Sequence, residues 1–172
     1  MKKIINGLIG VFGGLSSIKY GKEIIVFLIS LCPILELRGG LLAASILGVK
    51  PLTAYIISFI GNIIPVPFIL LFISRILDFM EKSKIKWVKN LALWVRKKAH
   101  KHKGPIEKFG YLGLLFFVGI PIPGTGAWTG CLIASLLDLD RKKSFLCTFC
   151  GLLLASIIMM LLSYGLLKSI IA

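Results

Sequence analysis

From Ile24 to Val49 the chain is apolar for about 26 residues, yet two charges and three helix-weakening residues sit in the middle of that run, in Pro33-Ile-Leu-Glu-Leu-Arg-Gly-Gly40. A straight helix of that length reaches about 39 Å at ~1.5 Å per residue, more than the ~30 Å hydrocarbon core of a bilayer. A charge at the bilayer centre costs ~2.5–3.5 kcal/mol on insertion scales. Glu36 and Arg38 must therefore face protein, water or a ligand. Pro33 removes a backbone donor, and Gly39-Gly40 weaken the helix beyond it. The stretch reads as a break in a membrane segment, with ionisable groups at the break.

Composition agrees with a membrane reading. Hydrophobic residues make up 57% of the chain and mean hydropathy is +0.93. The 172 residues leave room for one membrane domain, over 23–172, and no separate soluble domain. The formal net charge of +14 lies between the apolar runs, where the positive-inside rule accounts for it better than nucleic-acid binding does. Cys32, Cys131, Cys147 and Cys150 all lie in apolar sequence. Cys147-x-x-Cys150 has redox or metal spacing, but no His or second Cys pair accompanies it, so these read as small packing residues. No metal and no cofactor is expected. Residues 1–22 carry two lysines and an apolar stretch interrupted by glycine, without a small-x-small cleavage site. Ile4 to Ile18 reads as an uncleaved amphipathic or short membrane-embedded helix, too short to span.

Leu52 to Ser74 has spanning length and is interrupted by Asn62, Pro65 and Pro67, the pattern of a kinked helix in which Asn62 bonds the broken backbone. Residues 75–108 form a basic loop, expected on the cytoplasmic side. Within it Ile85, Trp87, Val88, Leu91, Trp94 and Val95 recur at helical spacing between lysines. That is the pattern of a basic amphipathic helix lying on a membrane surface, and anionic lipids are expected to bind the basic loop over 82–103. His100 and His102 read as solvated. Tyr111 to Leu137 is a second apolar region, broken by Pro121-Ile-Pro-Gly-Thr-Gly-Ala-Trp-Thr-Gly130, and Phe145 to Leu167 is the last spanning run.

A shift of ninety positions lays the first half of the chain on the second. Pro33 meets Pro123, Gly40 meets Gly130, Ala44-Ser45 meets Ala134-Ser135, and Gly61 meets Gly151. The matches fall at the breaks, where apolar composition alone would not place them. Two repeats follow, about 24–74 and 109–171, each a broken segment and then a spanning helix. Breaks near mid-run suit helical hairpins whose tips stop inside the membrane. The expected fold is all-α and polytopic: an inverted repeat, each half a re-entrant hairpin plus a spanning helix. Full crossing by each broken segment is the alternative, and the Lys/Arg distribution fits both.

In the hairpin arrangement the tips meet near the midplane. Helix N-termini there attract negative charge. Arg38 adds a fixed cation beside Gly39. Gly124, Thr125 and Gly126 expose backbone N–H groups in a small nest, while Thr125 and Thr129 offer hydroxyls. These residues and Trp128 form a candidate anion site, with Glu36 as the proton carrier. Pro33, Asn62, Pro65, Pro67, Pro121 and Pro123 are hinge or break positions. Simpler roles stand beside these: a structural Glu36–Arg38 pair, glycines that only let helices approach, and Trp128 as an interfacial anchor. Asp138 and Asp140 read as a solvated turn.

The segment Pro33–Gly40, then Gly61-Asn-Ile-Ile-Pro-Val-Pro67, then Pro121–Gly130 resembles the small multidrug export protein family of bacteria and archaea, from about Ile24 to Gly165. Leu42 departs from it, where a proline is expected in many members. The family is distantly similar to the DedA/VTT superfamily. That resemblance implies inverted repeats with re-entrant hairpins and a transport role, with lipid phosphates among the substrates. Glu36, Arg38 and the Pro121–Gly130 loop carry over as site positions.

The expected function is a secondary transporter in the cell membrane, proton- or ion-coupled, for an anionic or amphipathic substrate. A phosphate-binding glycine loop for ATP is absent, and so is a nucleophile–base pair, so an enzyme is not expected. The alternatives are a lipid-phosphate flippase (for a carrier like undecaprenyl phosphate), a multidrug exporter, and a non-transporting scaffold. A chain with about two full spans needs a second copy to seal a polar core, so a homodimer is expected.

Overall fold

The computed structural model of the chain describes residue 7, residues 20–122 and residues 124–166. The helix expected over 4–18 and the break residue Pro123 lie outside the described residues. All regular structure within them is helical: α1 (Gly21–Leu31), α2 (Glu36–Ile46), α3 (Pro51–Ile63), α4 (Pro65–Glu81), α5 (Lys86–His102), α6 (Gly104–Gly119), α7 (Ala127–Leu136), α8 (Arg141–Met160) and a π-helical turn over Leu161–Leu166. Two stretches are long and apolar enough to cross a membrane: Pro51–Glu81, 31 residues broken at Ile64, and Arg141–Gly165, 25 residues.

The breaks separate short helices. α1 and α2 are 11 residues each, joined by Cys32–Leu35, and they pack on one another and on α3. Each is about 16 Å long at ~1.5 Å per residue, half of a ~30 Å membrane core. α6 is broken at Gly110, which leaves helical geometry at φ 57, ψ −128, and its second part leads through the Ile120–Gly126 loop into the 10-residue α7.

The basic segment 75–108 is largely helical. α4 continues past Ser74 to Glu81, because Leu77 finds a buried site at 2% exposure. A short turn then leads into α5, and Arg96 on α5 pairs with Asp78 and Glu81 on α4. Apolar spacing had marked only the first half of α5; Ala92 and Ala99, small enough to sit against the bundle, carry it to His102.

The chain divides into two compact units, Met1–Ile64 with Leu153–Ala172, and Pro65–Leu152. The first holds α1–α3 and the end of α8. Its core is Val26, Leu37, Leu41, Ala44, Val49, Ala54 and Met159. Ser45 Oγ donates to Ser163 O at 2.9 Å, and Tyr164 Oη donates to Val49 O at 2.9 Å. The second unit holds α4–α7 and the start of α8. There α4 packs on α7, with Ser74 Oγ 2.8 Å from Ser135 Oγ. Ser45 and Ser135 are ninety positions apart. Within each unit, the second helix of one repeat's broken segment is bonded to the far half of the other repeat's long helix.

The ninety-residue correspondence extends to backbone bonds. α2 ends with Val49 N donating to Ala44 O (2.9 Å) and Gly48 N to Ser45 O (3.3 Å); α7 ends with Leu139 N to Ala134 O (3.0 Å) and Asp138 N to Ser135 O (3.4 Å). Both are Schellman caps, which need a left-handed residue just past the helix. Gly48 holds φ 69 there and Asp138 holds φ 51. The next helix starts alike in both, with Ala54 N to Lys50 O and Ser144 N to Asp140 O, each 2.9 Å.

Candidate functional site

The first tip is built on the close approach of α1 and α2. A Cβ on Gly39 would stand 3.3 Å from Ile29 Cγ2 of α1, and one on Gly40 would overlap Ser30 Oγ. Gly39 and Gly40 thus let α1 and α2 pack closely. Pro33 and Ile34 are exposed at the turn, while every residue from Leu35 to Leu41 is buried. Glu36 is 5% exposed and Arg38 8%. The two interact electrostatically. Glu36 opens α2, where a carboxylate is favoured by the helix dipole; Arg38 in the same turn is disfavoured by it. A buried arginine at a helix N-terminus offers its charge to an anion together with that dipole.

Glu36 also holds a left-handed backbone, φ 52. An L-residue there costs about 1–2 kcal/mol relative to ordinary helical backbone. Ninety residues on stands Gly126, at φ 143, where glycine carries no such cost. The first repeat keeps a glutamate at a position its own second copy fills with glycine.

The second tip is the loop before α7. Gly124 (φ 88) is exposed and Gly126 is buried. Thr125 Oγ1 lies 2.8 Å from Ile122 O and 3.0 Å from Ile120 O, and Thr125 N donates to Ile122 O at 3.2 Å. Both polar groups of Thr125 therefore close the loop, and the expected nest is drawn inward at that residue. Trp128 and Thr129 are half-buried in the first turn of α7. Gly130 lets α7 approach α6: a Cβ there would stand 2.8 Å from Val118 Cγ2. Asn62, expected to bond the broken backbone, is 1% exposed and its carboxamide has no hydrogen-bond partner among the described residues.

One neighbour of the loop was not foreseen. His102, at the end of α5, is half-buried rather than solvated. Its ring centroid lies 6.5 Å from that of Phe117, and its Nε2 is 3.9 Å from where a Gly124 Cβ would stand. A groove of about 590 Å³ opens beside it, walled by Phe109, Leu112, Phe116 and Phe117, with Lys101, His102 and Thr125 at the polar margin. No local motif marks His102; only the fold of α5 onto α6 brings it there.

The four cysteines are all free, and buried Cys131 Sγ lies 3.5 Å from Thr148 Oγ1 across α7 and α8.

Two helices of spanning length, with Phe68, Phe79 and Leu161 exposed on their faces, are features of a membrane protein. The sequence profile that matches residues 36–158, well over half of the chain, is described as "Putative small multi-drug export protein", and the chain belongs to that family. No curated protein and no solved structure matches the chain.

Proposed function

We propose that the protein is a secondary transporter of the cell membrane, driven by a proton or ion gradient, that moves an anionic or amphipathic substrate. The carrying observation is that Glu36 and Arg38 are both buried in the first turn of α2 and interact electrostatically. Arg38 binds the anionic group and Glu36 carries the proton. The hairpins enter the membrane without crossing it, which their half-length arms permit, and the two repeats are inverted, in keeping with a distant kinship to DedA-type proteins. The Pro121–Gly130 loop is the second working part, and a homodimer seals the polar interior. The exposed side of α5 lies on the cytoplasmic membrane surface and binds anionic lipids: Trp87 and Trp94, 72% and 56% exposed, share a face among lysines.

A lipid phosphate as substrate is the second reading, and the groove beside His102 favours it, since it pairs an aromatic wall with a basic margin. The test uses proteoliposomes loaded with a pH-sensitive dye. A dye response to anionic amphiphiles or undecaprenyl phosphate, lost in Glu36→Gln, is the expected result. A response to lipophilic cations only, retained in Arg38→Ala, would turn the reading to drug-cation export. Activity that survives Glu36→Gln but fails when Lys97 and Lys98 are neutralised would indicate a scaffold.

A further inference from the structure

Three polar side chains are buried together between α1, α2 and α3. Ser30 and Ser58 are 0% exposed and Asn62 is 1% exposed. The place where a Gly40 Cβ would stand is 1.8 Å from Ser30 Oγ and 2.9 Å from Ser58 Oγ, so the two hydroxyls converge where Gly40 lacks a side chain. Ser58 and Asn62 are one turn apart on α3 and share its face. Ser30 donates to Val26 O at 2.8 Å, leaving its oxygen able to accept. Ser58 Oγ and both Oδ1 and Nδ2 of Asn62 have no partner among the described residues.

The fold does not demand this polarity. Ninety positions on stand Ile120, Thr148 and Leu152. Leu152 is 2% exposed, as buried as Asn62, and Thr148 lies within reach of Cys131. The second repeat fills the Asn62 position with an apolar side chain of similar size. The first repeat keeps groups that are costly to bury unpaired.

Donor and acceptor chemistry selects the occupant. A bare cation answers oxygens only, and an anion answers N–H and O–H only. The Asn62 amide requires both a donor and an acceptor, and water supplies both. We infer that Ser30, Ser58 and Asn62 hold internal water and form a proton path to Glu36. Gly40 and Glu36 are one turn apart on α2, about 6 Å along its axis, and share its face, so the hydroxyl pair and the glutamate lie on the same side of the helix. The relay part rests on Glu36 being the proton carrier; the water-holding part does not.

Two measurements on the full chain separate these. X-ray-generated hydroxyl radicals label buried side chains that adjoin bound water. Ile29 and Leu41, which flank Ser30 and Gly40, should be labelled faster than Ile106 and Leu114 of the other unit, although all four are at most 2% exposed. The excess should be lost in Ser58→Ala/Asn62→Leu. Equal labelling at all four sites in the wild type would overturn the inference. Proton entry into dye-loaded vesicles under an imposed potassium diffusion potential should fall in Asn62→Leu to the level of Glu36→Gln. Wild-type entry in Asn62→Leu, with loss in Glu36→Gln, would overturn the relay. Wild-type entry in Glu36→Gln would overturn the proton-carrier reading and the relay with it, while the labelling result stands on its own.

Discussion

The glutamate at φ 52 separates function from folding most sharply. A buried ion pair is weak evidence of stability: losing one partner costs about 3–5 kcal/mol, whereas replacing both with apolar groups is often neutral or better. Glu36→Gly alone should therefore destabilise the protein, since it leaves Arg38 buried without its carboxylate, although it relieves ~1–2 kcal/mol of backbone strain. The double variant Glu36→Gly/Arg38→Leu should melt at or above the wild-type temperature and yet be inactive. Thermal melting in detergent beside the vesicle assay reads both. A double variant that melts well below wild type would make the pair structural. The charges were readable from sequence because a membrane run has no cheap place for them; the strained backbone was not, because nothing in Leu-Glu-Leu announces a left-handed residue.

At the scale of the element, the two Schellman caps form a natural comparison. Gly48→Ala should cost about 1–2 kcal/mol, the penalty for a side chain at positive φ, and Asp138→Gly should return part of that amount at the matching position, φ 51. Opposite shifts in melting temperature are the expected signature. α5 gives a second element-level prediction. In a Trp128→Phe background, the Trp fluorescence of the protein in anionic nanodiscs should be quenched by lipids brominated near the headgroup, and less so in zwitterionic ones; quenching independent of lipid charge would leave α5 without its anionic surface. Spacing located this helix through Trp87, Leu91 and Trp94, but its length was hidden. Basic residues from Arg96 to His102 look like loop until Arg96 is seen to pair with Asp78 and Glu81 on α4. The same blindness hid His102, whose neighbours Phe117 and Gly124 are brought to it by packing alone.

Across the whole molecule, the ninety-residue repeat was readable from Pro, Gly and Ala-Ser pairs, and caps and helix starts reproduce it bond for bond. How the repeats are shared between units was not readable, because Ser45–Ser163 and Ser74–Ser135 join residues more than sixty positions apart with no pattern between them. Each broken segment is bonded to the far half of the other repeat's helix, so residues 1–82 and 83–172 expressed separately should each fail to fold, and should co-purify as a stable pair when expressed together. Either half folding alone would refute that exchange. The central claim is that the charges beside the first break bind an anion. Native mass spectrometry of the wild type and of Glu36→Gln/Arg38→Met, each purified with its own lipids, tests it most directly. An anionic species retained by the wild type and lost from the variant is the predicted result; the same bound species on both proteins would contradict it.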